Sequence, residues 1–275
     1  MVVERPIKRY THVAAVVAIG LVIGAPFYWL LITALKTSQE ALSYPPTWIP
    51  TTIRWENFGE AIQLLSATTF VNSIIFTVSV TMLQLILVIC GGFALAKMPF
   101  PGRRWIFMVM LATMFVPFHV MLIPTFLIVR GLSLIDTWPG LVVPIVAQTA
   151  FGTFLFRQFF VALPDELLEA ARIDGASWGQ MFALIAAPLA GPPVAAYVSV
   201  TTLNAWNMYV WPLVATYDPD MRVLPLALAS LGGERSIIPP NVAMMAVLIS
   251  TLPIMIIFIA AQKWFVSGLG GAIKE

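Results

Sequence analysis

Charge is what this chain has least of. Lysine, arginine, aspartate and glutamate make up 10% of its 275 residues, where a soluble domain carries roughly a quarter. Cysteine occurs once, at Cys90 in an apolar run, so neither an intrachain disulfide nor a cysteine-built metal site can form. Two histidines, His12 and His119, are too few to suggest a metalloenzyme. Five lysines are present, at 8, 36, 97, 263 and 274, and none follows a Gly-x-x-x-x-Gly run, so the chain has no phosphate loop. There is no Lys/Arg-rich tract for nucleic acid, and a net charge of +2 selects no partner.

What is abundant is hydrophobic sequence: 60% of residues, with a mean hydropathy of +0.91. Uncharged windows run over 10–35, 61–96, 105–129, 137–156, 175–217 and 236–262. Each reaches the roughly 20 residues that a helix needs to cross a bilayer core of about 30 Å. In the 175–217 window, Pro188 and Gly191-Pro192-Pro193 punctuate the first half, leaving one span after a hairpin. The expectation is an all-α, polytopic membrane protein of one domain, 1–275, with spans near 11–35, 69–94, 105–129, 138–158, 192–214 and 241–263. A β-barrel would need short alternating segments instead.

An even number of spans puts both termini on one side. With the N-terminus inside, ten of the fifteen basic residues are internal, the arrangement that the positive-inside bias favours. The first apolar segment follows Arg5, Lys8 and Arg9 as in a signal peptide. It continues through Phe27, Tyr28 and Trp29 with no small-residue cleavage site, which reads as a retained anchor. The longest external loop, about 36–66, carries Tyr44-Pro45-Pro46-Thr47-Trp48-Ile49-Pro50. The last, about 215–240, carries the turn Gly232-Gly233-Glu234-Arg235.

Between two apolar windows lies a charged stretch at 164–188 that cannot face lipid. Pro164 suits a first helical position, and Asp165 and Glu166 suit the first turn. Glu169 and Arg172 are spaced to pair, and Gly175 suits a helix end. Ser177-Trp178-Gly179-Gln180 matches a capping box opening a second helix. By local physics this is either a well-capped connector or a docking element for a partner inside the cell.

The same residues carry a resemblance. Glu169-Ala170-Ala171, Asp174-Gly175-Ala176, Ile185 and Pro188-Leu189 resemble the EAA loop of permease subunits in binding-protein-dependent ABC importers. The flanks 153–160 and 163–167, the stretch 206–213 and the ending Phe265-Val266-Ser267-Gly268-Leu269 are similar to the carbohydrate branch, maltose-type and glycerol-phosphate-type. The resemblance covers most of the chain from Asn72 onward. It implies a heterodimeric pore with a second related permease, two ATPase subunits holding ATP and Mg, and an external solute-binding protein, all at a bacterial or archaeal cytoplasmic (inner) membrane. It also implies that Glu169, Ala170, Ala171, Arg172, Asp174, Gly175 and Ala176 form a coupling helix seated on an ATPase. By position alone, Gly232, Gly233, Glu234 and Arg235 would face the binding protein. The chain itself would be no enzyme and would bind no cofactor or metal.

Polar residues inside the windows either join helices by hydrogen bonds or line a wet path. Asn72, His119, Gln148, Asn204, Asn207 and Tyr209 are the candidates for the path, with 204–211 as the best cluster. His119 reads as a neutral buried imidazole, because no second histidine or carboxylate has helical spacing to it. Two other classes compete. An ion-driven secondary transporter would usually place ionisable residues inside the membrane, and these windows have no Asp, Glu, Lys or Arg. A membrane-embedded enzyme would need converging nucleophiles or metal ligands.

Overall fold

A computed structural model describes residues 6–231 and 238–270, with side chains omitted for 6–12, 258 and 260–270. All regular structure among the described residues is helical. Among the described residues three helices are long and apolar enough to cross a membrane unbroken: Val13–Ala34, Ala67–Lys97 and Pro240–Ile257. Three further helix pairs pass only together. They are Arg103–Thr113 with Phe118–Gly131, bent by 103°; Trp138–Val146 with Ala150–Ala162, bent by 45°; and Trp178–Leu189 with Gly191–Trp206, bent by 75°. Counting each pair once gives up to six crossings by length and composition among the described residues. Proline explains the first bend. Pro117 has no N–H to continue the ladder and pushes Val116 out of helical geometry, so the chain tightens at Met114–Val116 and restarts at Phe118. Where the sequence places a span at 192–214, the structure has Gly191–Trp206, a break at 207–209 and a short helix Val210–Ala215.

The chain divides into two compact units, Met1–Ala67 with Leu228–Leu252, and Thr68–Ala227 with Pro253–Glu275. In the first, the Asn57 amide donates to the carbonyls of Ala34 (2.8 Å) and Lys36 (2.9 Å) and its oxygen accepts from Asn241 (3.1 Å), joining three segments at one buried knot. Lys36 is buried, its ammonium 4.8 Å from the Trp29 ring and donating to the Thr47 carbonyl. The Glu40 carboxylate gathers the loop by accepting from Thr51 N–H (2.9 Å), Thr47 O–H (2.9 Å) and Thr51 O–H (3.1 Å).

The second unit is inside-out relative to a soluble protein. On the Ala67–Lys97 helix, Thr69, Asn72, Ser73, Thr77, Thr81 and Gln84 recur at three- and four-residue spacing and are buried with Phe76, Val80 and Val88. Ile74, Val78, Met82, Ile86 and Leu87 on the opposite face are exposed. In lipid, apolar contact drives no association, so helices meet through close packing and polar bonds. Two apolar clusters flank this stripe. Phe76, Val80, Leu141, Ile145 and Trp211 belong to one, and Val88, Phe93, Phe156, Phe160 and Tyr197 to the other. Between them the Gln84 amide donates to the Ile145 carbonyl (2.6 Å) and its oxygen accepts from the Tyr197 hydroxyl (3.2 Å).

Two adjacent glycines separate packing from composition. A Cβ on Gly92 would lie 2.6 Å from Phe156 Cβ and 2.9 Å from the Arg157 nitrogen, whereas one on Gly91 would meet Thr153 at an ordinary 3.5 Å. Gly92→Ala is expected to cost about 1–3 kcal/mol by overpacking, and Gly91→Ala to be tolerated; thermal melts of the two purified variants check this. Partial burial pushes the Glu40 carboxyl up, but the bonds from Thr51 and Thr47, with Lys36 nearby, outweigh it and hold the group below its ordinary value. A depressed folded-state value stabilises above the unfolded value, and that contribution disappears as pH falls through the folded value. Protection factors of the amides over 37–51, corrected for the intrinsic pH dependence of exchange, are therefore expected to fall on acidification below the ordinary glutamate range, and to lose that dependence in Glu40→Gln.

Candidate functional site

The charged hairpin is built by local sequence. Its first helix is Glu166–Ile173, with Asp165 as N-cap and Glu166 and Glu169 in the first turn, where the helix dipole favours anions. Pro164 precedes the cap and is not the first helical residue. Gly175 has φ +83°, a left-handed conformation that glycine adopts freely, and no atom lies within 4 Å of where its Cβ would stand. Strain of the backbone, not lack of room, selects glycine there. The capping box is present: the Gln180 N–H donates to the Ser177 hydroxyl (3.4 Å), and the Ser177 N–H to the Gln180 side chain (2.8 Å). The second helix, Trp178–Met181, passes through a π-helical turn at Phe182–Ala186 before Ala187–Leu189.

The hairpin has two distinct faces. Leu168 and Met181 are buried, with Ala171, Ala176, Trp178 and Phe182 packed beside them. Outward stand Glu166, Glu169 and Ala170, with Leu167 and with Ile173 at 86% exposure. Arg172 does not pair with Glu169. Its guanidinium lies 5.7 Å from the Trp178 ring, and the ion pairs among the described residues are Arg54–Glu56 and Lys97–Asp165. Asp174 and Gly175 are exposed at the tip and Ala176 is half-buried.

Two residues missed by the sequence reading anchor this hairpin. Phe93 sits in an aromatic socket, with ring centroids 5.2 Å from Phe182, 5.6 Å from Phe160 and 6.4 Å from Trp178. One turn further along, Lys97, its side chain only 7% exposed, donates to the Leu163 carbonyl (2.8 Å) and to the Asp165 carboxylate (2.5 Å). The end of the same helix is capped by Arg157 on the Leu95 carbonyl (3.2 Å) and Arg103 on the Met98 carbonyl (3.2 Å). The available signal was the i, i+4 spacing of Phe93 and Lys97 at the end of an apolar run.

The polar candidates separate into two groups. Asn72 is buried and its amide is occupied, donating to the carbonyls of Asp220 (2.7 Å) and Arg222 (3.0 Å). His119, expected to be buried, is exposed at the start of the Phe118–Gly131 helix with its ring 5.8 Å from Phe118, because the bend at Pro117 turns that helix start outward. Gln148 is exposed in the break at 147–149. Asn204, Asn207 and Tyr209 are exposed, and the Asn207 amide donates to its own helix at the Leu203 carbonyl (2.9 Å). Trp206 and Trp211 of the same cluster are buried, Trp211 donating to the Leu141 carbonyl (3.0 Å). Gly232, Gly233, Glu234 and Arg235 lie outside the described residues. Among the described residues no group of three His, Cys, Asp or Glu could hold a metal ion.

Residues 88–270, a stretch that includes the whole hairpin, match the family described as "Binding-protein-dependent transport system inner membrane component". Among curated proteins, the sn-glycerol-3-phosphate transport system permease protein of Pectobacterium atrosepticum is 33% identical over 281 residues, covering 97% of each chain. Its counterpart in Yersinia pestis is 31% identical over 280 residues, again covering 97% of each. That of Brucella abortus is 29% identical over 279 residues, covering 98% of each. Among solved structures, a chain from a bacterial ABC transporter involved in import of the acidic polysaccharide alginate superposes with a TM-score of 0.84 at 25% identity, over 95% of this chain and 98% of that one. With its apolar helices and its capped, charged hairpin, this chain belongs to the inner membrane permease components of binding-protein-dependent ABC importers.

Proposed function

We propose that this permease forms half of a translocation pore with a second related subunit, and that the hairpin 164–188 seats on one of two ATPase subunits. ATP and Mg then bind to those subunits, since this chain has no phosphate loop of its own. An external solute-binding protein delivers the solute, and both termini face the cytoplasm. The names of the relatives favour a phosphorylated polyol or a related acidic carbohydrate as that solute. One observation carries the docking role: a capped two-helix element presents Glu166, Glu169, Ala170 and Ile173 outward while its other face is held in the Phe93 socket. An exposed isoleucine ringed by charge is the composition of a small interface with an apolar centre and a polar rim. In this reading, closure of the ATPases moves the hairpin, and Phe93 with Lys97 passes that movement to the Ala67–Lys97 helix. No observation favours an ion-driven mechanism.

Gly175→Val forces a β-branched residue into left-handed backbone, of order 1–3 kcal/mol. Solute uptake by the reconstituted complex is expected to fall about tenfold or more, with ATP hydrolysis retained. Gly175→Asn, which tolerates that conformation, is expected to keep most uptake. Full uptake by the valine variant would remove the hairpin from the coupling path. Lys97→Met removes a charge-assisted bond of about 1.5–3 kcal/mol, so amide exchange over 163–175 is expected to speed up about tenfold or more. Lys97→Arg is expected to restore part of the protection.

A further inference from the structure

We propose that the pocket between Arg130 and Tyr217 binds a phosphate group, either the phosphomonoester of an arriving solute or the phosphate of an anionic lipid headgroup. The cavity measures about 480 Å³ and is lined by Phe126, Arg130, Ser133, Ile135 and Tyr217, within the roughly 300–1,000 Å³ of small-ligand sites. It lies at the end of the second unit remote from the hairpin. Asn72 bonds the 220–222 segment near one end of the Ala67–Lys97 helix, and Lys97 stands at the other, roughly 37 Å away at 1.5 Å per residue.

The loop that brings these residues together is held in strained backbone. Ser133 (φ +58°) and Asp136 (φ +56°) are both left-handed without being glycine, a state that persists only where surrounding contacts enforce it. Those contacts are visible. The Leu134 N–H donates to the Val129 carbonyl (3.0 Å), the Thr137 hydroxyl to the Leu134 carbonyl (2.6 Å), and the Asp136 N–H to the Ala215 carbonyl (3.1 Å). The Asp136 carboxylate accepts from the N–H groups of Tyr217 (2.5 Å) and Asp218 (2.9 Å), which draws Tyr217 to the pocket. Two carboxylates of these loops are engaged on backbone: Asp136 as described, and Asp218 through the Asp220 N–H (2.9 Å).

Arg130 has no carboxylate within ion-pair distance among the described residues. A guanidinium offers a planar fork of donors that matches phosphate oxygens. The Ser133 and Tyr217 hydroxyls supply further donors, and Phe126 and Ile135 supply a wall of low polarity. A phosphate oxyanion offers acceptors to each of these donors, whereas an uncharged polyol would leave the guanidinium unmatched. Reading the pocket as a stopping place for solute rests on the importer assignment; the phosphate chemistry does not.

The test uses the complete transporter with its partner subunits, as wild type, Arg130→Gln and Arg130→Lys. One arm titrates sn-glycerol 3-phosphate and, separately, glycerol into phosphatidylcholine nanodiscs by calorimetry. The other counts phosphatidylglycerol retained from the native membrane by mass spectrometry. Arg130 is exposed, so all three proteins are expected to melt alike. Loss of about tenfold in sn-glycerol 3-phosphate affinity in Arg130→Gln, smaller in Arg130→Lys and absent for glycerol, assigns the site to solute. Loss of a retained phosphatidylglycerol assigns it to lipid. Binding that is absent from the wild type, or equal in Arg130→Gln, in both arms overturns the proposal. Arg130-dependent phosphate binding in a wild-type complex that takes up no solute would sink the importer's solute assignment and leave the site standing.

Discussion

The face of the Ala67–Lys97 helix that carries Phe93 and Lys97 is where membrane and hairpin meet. An aromatic ring held at 5.2–6.4 Å by Phe182, Phe160 and Trp178 resists lateral shear, since dense packing has few alternative arrangements. A buried ammonium on the Leu163 carbonyl fixes the direction in which the chain enters the hairpin. The contacts differ in character: the socket fixes distance, and the lysine fixes orientation. Together they leave the hairpin's opposite face, with Glu166, Glu169 and Ile173, free of the body of the protein. The docking role proposed for the hairpin asks for rigidity toward its own chain and an open opposite face, and this division is compatible with both.

The remainder of the second unit follows from solvent inversion. Threonine, serine, asparagine and glutamine on one stripe of a long helix look like a solvated face in isolated sequence. Here they are buried, and Ile74, Val78, Met82, Ile86 and Leu87 are outside. Ser73 accepts the Leu224 N–H (2.6 Å), and Asn72 holds two carbonyls of the 220–222 segment. Asn72 and Ser73 of the polar stripe therefore fasten the 220–224 backbone to the helix.

The sequence revealed what is local. Six apolar windows, the break at Gly175 and the capping box at Ser177–Gln180 depend on neighbours a few residues away, and all are legible by spacing. It concealed what depends on direction. The window 105–129 reads as one span because lipid accepts apolar residues on either side of a bend, yet Pro117 turns the chain by 103° and leaves His119 exposed. The cluster at 204–211 reads as a unit because its members are close in sequence. The helix end at Asn207 splits it, sending Trp206 and Trp211 inward and Asn204, Asn207 and Tyr209 outward. Asn72 reads in sequence as a candidate for lining the path, but its partners lie in a loop far along the chain that no periodicity points to.

Beside the break at 147–149 a side chain braces the helix end: the Gln84 amide donates to the Ile145 carbonyl, which also accepts from the Gln148 N–H (3.1 Å), while the Gln84 oxygen accepts from the Tyr197 hydroxyl. A lysine could have supplied the donor, and a glutamate the acceptor, but each would have brought ionisation into the bilayer. An amide does both jobs while carrying no net charge and taking up no proton. The junction at this kink is consequently held by a group without charge, so neither an electric field nor a proton acts directly on Gln84.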